Sequence, residues 1–115
     1  MKQAGQVVLF RFPHTDLGEE KLRPALLLKH LPGKFDDWLI CMISSQTHHF
    51  VYGFDEMLQK TDVDFSESGL KLASVIRVGR LAVVEEGVLL GLLGEISSER
   101  LERIRRRLAA WLSSS

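Results

Sequence analysis

Hydrophobic positions fall in short β-branched or aromatic runs along most of the chain and take up a helical period only at its end. Gln6 to Phe12 reads Gln-Val-Val-Leu-Phe-Arg-Phe and stops at Pro13, a pattern that predicts a strand. Pro24 opens a second apolar run, Ala25 to Leu28, and Trp38 to Ile43 makes a third. Pro32-Gly33 supplies turn chemistry between them, so the two runs predict a hairpin. Ser74 to Val78 and Arg80 to Val84 predict a further pair, with Gly79 as a bulge or bend between them, and Val88 to Leu93 predicts another strand. Asp55 to Glu67 holds five acids against one lysine with no clean period, and reads as a long connection with a single helical turn. After Ile96, Ser97 can cap a helix with Glu99 in its first turn. Leu101, Ile104, Leu108, Trp111 and Leu112 recur there at three- and four-residue spacing, and Ser113 to Ser115 reads as a disordered tail. The expected fold is mainly β with a C-terminal α-helix, a small closed or nearly closed barrel.

Length and charge narrow the picture. At 115 residues, the chain fits one ordinary globular domain, residues 1–115, and is too short for a TIM barrel. Fifteen Lys plus Arg against fifteen Asp plus Glu exclude a polycation that binds nucleic acid by bulk charge, so any polyanion site must be local. The single cysteine, Cys41, lies in an apolar run, which predicts a buried, inert thiol and removes a cysteine-based zinc site. No window approaches the roughly 18 apolar residues that span a bilayer, and no signal peptide is evident, which reads as a soluble cytoplasmic protein.

Four features could carry chemistry. Arg100, Arg103 and Arg105 to Arg107 form a basic run on the predicted helix, but Glu99 and Glu102 interleave with it, which reads as a solvated face. His14, His30, His48 and His49 lack metal-ligand spacing, so no metal and no cofactor are expected; His48-His49 could still titrate near neutral pH and contact a ligand. Arg23 immediately precedes Pro24, which holds the arginine in extended backbone and aims its side chain. A structural arginine paired with Asp16, Glu19 or Glu20 is the alternative. Ile43-Ser44-Ser45-Gln46 ends the third run, where the hydroxyls either cap the strand or bond a ligand oxygen.

In order and spacing these segments resemble the MazF/PemK family of toxins from type II toxin–antitoxin systems. The resemblance rests on Gly5-Gln6-Val7-Val8 leading to Phe12-Pro13-His14-Thr15-Asp16, then Leu22-Arg23-Pro24-Ala25-Leu26 and Ile43-Ser44-Ser45-Gln46. It resumes at Gly69-Leu70-Lys71, Ser74-Val75-Ile76-Arg77 and the helix after Gly94-Glu95-Ile96-Ser97. It implies an SH3-like barrel of the MazF/PemK/CcdB type and a metal-independent endoribonuclease. Such an enzyme cuts single-stranded RNA by attack of a ribose 2′-hydroxyl on the adjacent phosphate, leaving a 2′,3′-cyclic phosphate and a 5′-hydroxyl.

By the same resemblance, Arg23 and Ser44 would be catalytic. Lys21, Ser45, Gln46, Arg77 and Arg80 would bind RNA, with Arg11 adding to a basic groove. Some relatives carry an acidic residue two positions beyond the equivalent of Arg77, but Gly79 stands there in this chain. The general acid and base are then unassigned, and His14, with an ordinary pKa of about 6.5, is the substitute candidate unless it serves only in packing. The implied partners are a cognate antitoxin and a second copy in a homodimer. The alternatives are a CcdB-like gyrase-binding toxin and an inactive relative that binds antitoxin.

Overall fold

The computed structural model describes residues 2–12 and 21–115. Six strands form one antiparallel sheet: β1 (Gln6–Phe12), β2 (Lys21–His30), β3 (Asp37–Ser44), β4 (Glu56–Leu58), β5 (Ser74–Glu85) and β6 (Leu89–Glu95). Two helices complete the fold, α1 (Phe65–Ser68) and α2 (Ser98–Ser113), with 3-10 turns at Thr47–His49 and Glu86–Val88. The strand order is β4-β5-β3-β2-β1-β6.

Pro24 lies inside β2 rather than opening it. Having no N–H to give, it is tolerated because the β2–β3 ladder begins one residue later, at Ala25 opposite Met42. The two runs on either side of Gly79 are one strand, not a pair. β5 is continuous and lies along β3, but its register slips between Leu81 opposite Cys41 and Arg77 opposite Met42, so the bulge falls at Gly79. A side chain at Gly79 would press on the Phe54 ring.

The acidic connection is more ordered than its aperiodic sequence predicts, because it contains β4, which pairs with the start of β5, as well as the single turn of α1. Among the described residues no ladder joins β4 to β6, so the sheet is not closed by hydrogen bonds. Instead α1 packs against β6. A β-carbon on Gly69, which sits at φ +76°, would collide with the Leu93 carbonyl, and one on Gly94 with the Glu67 carbonyl. Only glycine permits that approach, which draws the two ends of the sheet into a barrel-like form.

Both faces of the central strands are buried. Leu26, Leu28, Cys41, Ile43, Ile76 and Val78 pack with Ile104 and Leu108 of α2, while Ala25, Leu27, Ile40 and Trp38 form a second cluster with Val8 and Leu89. Cys41 is fully buried, and burial, reinforced by the Asp55 carboxylate, pushes its thiol pKa far up. The thiolate is suppressed, in keeping with an inert core residue.

Ser97 caps α2 as its position predicts, its hydroxyl accepting from the Arg100 amide at 3.1 Å. Ile104 and Leu108 are buried and Leu101 packs beside them, but Trp111 and Leu112 at the end of the stripe are largely exposed, Trp111 resting against Phe54. Among the described residues no helix is long and apolar enough to cross a membrane.

The basic run of α2 is a solvated face only in part. Arg100 is buried and forms a bidentate pair with Asp64, Nε to Oδ2 at 2.8 Å and Nη2 to Oδ1 at 3.0 Å, and donates from Nη1 to Glu56 at 2.9 Å. Glu56, also buried, accepts from Arg103 at 2.7 Å and pairs with Arg107 at 2.6 Å. Arg105 donates twice to the Leu28 carbonyl. Arg103 and Arg105 are exposed while so paired, and Arg106 pairs on the surface with Glu102 one turn away. Glu56, Asp62 and Asp64 of the 55–67 segment are therefore counter-charges of the helix. Burial alone would raise the Asp64 pKa, but hydrogen bonds from Arg100 and from the Ser97 amide outweigh it and hold the carboxyl down at about 2.

Candidate functional site

The antiparallel registers set the site. Ala25 faces Met42, and Met42 in turn faces Arg77. Arg23 lies two residues before Ala25, and Ser44 two residues after Met42. The two-residue alternation of strands therefore carries Arg23, Ser44 and Arg77 to the same face of the sheet, with Arg23 and Ser44 opposite each other at the end of β2 and β3. Phe10 of β1 pairs with Arg23 on its other side.

At this end of the sheet lies a concavity of about 380 Å³, lined among others by Lys21, Arg23, Ser44, Ser45, Gln46, Lys71 and Ser74. Among the described residues its walls carry three cations and no carboxylate; Asp16, Glu19 and Glu20, the alternative partners of Arg23, lie outside the described residues. Among the described residues none of these cations has an ion-pair or hydrogen-bond partner, in contrast to the arginines of α2. Arg23 is exposed and Ser44 half-buried. The Ser44 hydroxyl accepts from the Gln46 amide at 3.0 Å, which fixes the turn and leaves its own O–H to donate outward. Unpaired guanidinium and ammonium groups beside oriented hydroxyls make a receptor for an anion with several oxygens. A guanidinium can meet two such oxygens with parallel hydrogen bonds.

Of the sequence candidates, Arg23, Ser44, Ser45, Gln46 and Lys21 meet in this concavity. Arg77 and Arg80 do not line it. They lie along β5 beside the Thr47–His49 turn, where both act on His49 electrostatically. His14 falls outside the described residues. Lys71 was not among the candidates, although Gly69-Leu70-Lys71 was part of the resemblance. It is far from Arg23 in sequence, so only the fold brings the two ammonium groups and the guanidinium together. A larger groove of about 560 Å³, with Phe10, Val83, Val88 and Leu90 in its walls, is mainly apolar and shares no lining residue with this concavity.

An open, barrel-like antiparallel sheet with an anion-receptive end defines the class of small mainly-β proteins with a C-terminal helix. Within that class the chain belongs to the family described as PemK-like, MazF-like toxin of type II toxin–antitoxin systems, which matches residues 3–112. No curated protein matches the sequence significantly. Solved structures share the fold. The MazE–MazF complex of Deinococcus radiodurans superposes with a TM-score of 0.67 at 20% identity, covering 99% of this chain and 97% of that one. MazF of the same organism gives 0.68 at 19%, covering 98% and 97%. Mycobacterium tuberculosis toxin MazF-mt6 gives 0.65 at 14%, covering 96% and 98%.

Proposed function

We propose that the chain is an endoribonuclease toxin that cleaves single-stranded RNA without a metal, by attack of a ribose 2′-hydroxyl on the adjacent phosphate to leave a 2′,3′-cyclic phosphate and a 5′-hydroxyl. The observation that carries this reading is Arg23, without a partner among the described residues, facing Ser44 across one concavity whose described lining holds no acid. As the 2′-oxygen bonds to phosphorus and the 5′-oxygen leaves, negative charge grows on the non-bridging oxygens. Arg23 is aimed by Pro24 and has no carboxylate partner among the described residues, so it meets that charge with little reorganisation. Ser44 orients the phosphate or the 2′-hydroxyl, and Lys21, Lys71, Ser45 and Gln46 hold the neighbouring chain.

Zero net charge is no obstacle, because a polyanion needs only local cations, and among the described residues those at the pocket have no partner. His14 is the candidate for proton transfer from the 12–20 connection. The family and the MazE-bound relatives support an antitoxin as partner, and a second copy in a homodimer and a cytoplasmic site of action belong to the same proposal.

The test is cleavage of a single-stranded RNA in EDTA, with end-group analysis. Cyclic-phosphate and 5′-hydroxyl ends from the wild type, lost in Arg23→Ala and reduced in Ser44→Ala, are expected. Intact RNA with blocked DNA supercoiling would instead favour a gyrase-binding toxin.

A further inference from the structure

The Thr47–His49 turn continues directly from Ser44-Ser45-Gln46 and packs on β5, yet nothing in the reaction as written uses its histidines. His49 is only partly exposed, and its ring nitrogen Nδ1 is buried with no hydrogen-bond partner. A buried ring nitrogen without a partner is unusual in a folded protein and calls for a reason. The His48 ring lies against it, centroid to centroid at 4.3 Å. Across from the turn, Arg77 and Arg80 have no hydrogen-bond or ion-pair partner among the described residues. Between them stands Gly79, which bears no side chain and is approached by the Phe54 ring, so β5 itself places no carboxylate between the pair. Asp55, reaching β5 from the adjoining loop, is held by the Val51 and Val78 amides.

We propose that His49, Arg77 and Arg80 form a second anion site, which binds an RNA phosphodiester neighbouring the one held at Arg23, and that His49 takes up a proton as that phosphodiester binds. The inference rests on the ribonuclease reading for the identity of the ligand, but not for the existence of the site. The charges that bear on His49 are all cationic: His48 on its own turn, and Arg77 and Arg80 on β5. Burial first, and then these three, lower its pKa, so each of them disfavours the imidazolium. A phosphodiester between the arginines offsets the repulsion and gives the imidazolium an acceptor. Linkage is reciprocal: if the anion favours the proton, the proton favours the anion by the same factor. A rise of about one pKa unit on binding therefore means up to about tenfold tighter binding at a pH below both values.

The probe is oligothymidylate, which carries phosphodiesters, has no 2′-hydroxyl to react and titrates nowhere between pH 5 and 8. Its affinity for the full chain is measured at pH 5.5 and 7.5 at fixed ionic strength, and the midpoint of the His49 ring resonances is followed by NMR with and without it. The expected result is binding three- to tenfold tighter at pH 5.5 and a higher His49 midpoint in the complex. The pH difference should vanish in His49→Gln but survive in His48→Gln. An unmoved His49 midpoint, a His49→Gln variant that keeps the wild-type pH difference, or no binding at either pH overturns the site. The NMR readout on the wild type needs no variant to fold. RNA cleavage without this proton linkage removes the second site alone, and linkage without RNA cleavage removes the ribonuclease reading alone.

Discussion

Two sets of arginines divide the labour in this molecule. On α2, Arg100, Arg103, Arg105 and Arg107 reach inward and every one of them is satisfied by a carboxylate or a carbonyl. On the sheet, Arg23, Arg77 and Arg80 have no such partner among the described residues. The dense basic run would be the first guess for a polyanion site, yet it fastens the helix to the 55–67 segment. Among the described residues the scattered single arginines have no counter-charge. Density of charge in a sequence is thus a poor guide to where an anion binds. What matters is whether the fold has already supplied the counter-charge.

The sharpest way to break this comparison is to exchange the roles. Arg100→Ala should leave Asp64 and Glu56 buried without their main partner and cost about 3–5 kcal/mol in urea unfolding, the usual penalty for breaking a buried ion pair. Arg23→Ala should do the opposite. It should lower the RNA cleavage rate about a hundredfold or more, as loss of one preorganised donor does, and leave unfolding within about 0.5 kcal/mol of wild type. If Arg100→Ala unfolds normally while Arg23→Ala is destabilised, the assignments are reversed.

Smaller effects sharpen the contrast. Ser97→Ala removes the cap of α2 and should cost about 1 kcal/mol in the same unfolding assay. Asp64 has its folded pKa depressed to about 2, below its unfolded value near 3.9, so its contribution is full above about pH 4 and is lost as pH falls toward 2. Between pH 5 and 2.5 the melting temperature of the wild type should therefore fall more steeply than that of Asp64→Asn. Arg106→Ala breaks only an exposed pair with Glu102 and should change stability by less than about 0.5 kcal/mol.

The strands and α2 were legible because their signals are local: β-branched runs, Pro32-Gly33, and Ser97 ahead of a three-and-four spacing. β4 was not, since three residues give too short a run to show alternation, and its burial comes from the partner strand β5. The clamp escaped for a related reason. Arg100, Arg103 and Arg107 share one helical face, but their acids lie more than thirty residues away, so charge interleaving within the helix pointed to solvent. The pocket was half legible. The Pro24 that aims Arg23 is visible in the sequence, whereas the meeting of Arg23, Ser44 and Lys71 depends on strand register. His49 carried no spacing signal. Its unpartnered nitrogen exists only once the turn folds onto β5.

The most direct test is a single-turnover comparison of wild type and Arg23→Ala on one single-stranded RNA in EDTA, with the cleaved ends identified. Cyclic-phosphate ends that form at least a hundredfold more slowly in the variant, from protein that unfolds like the parent, are the predicted result. Equal rates in the two proteins would contradict the assignment of the sheet-end pocket as the place where RNA is cut.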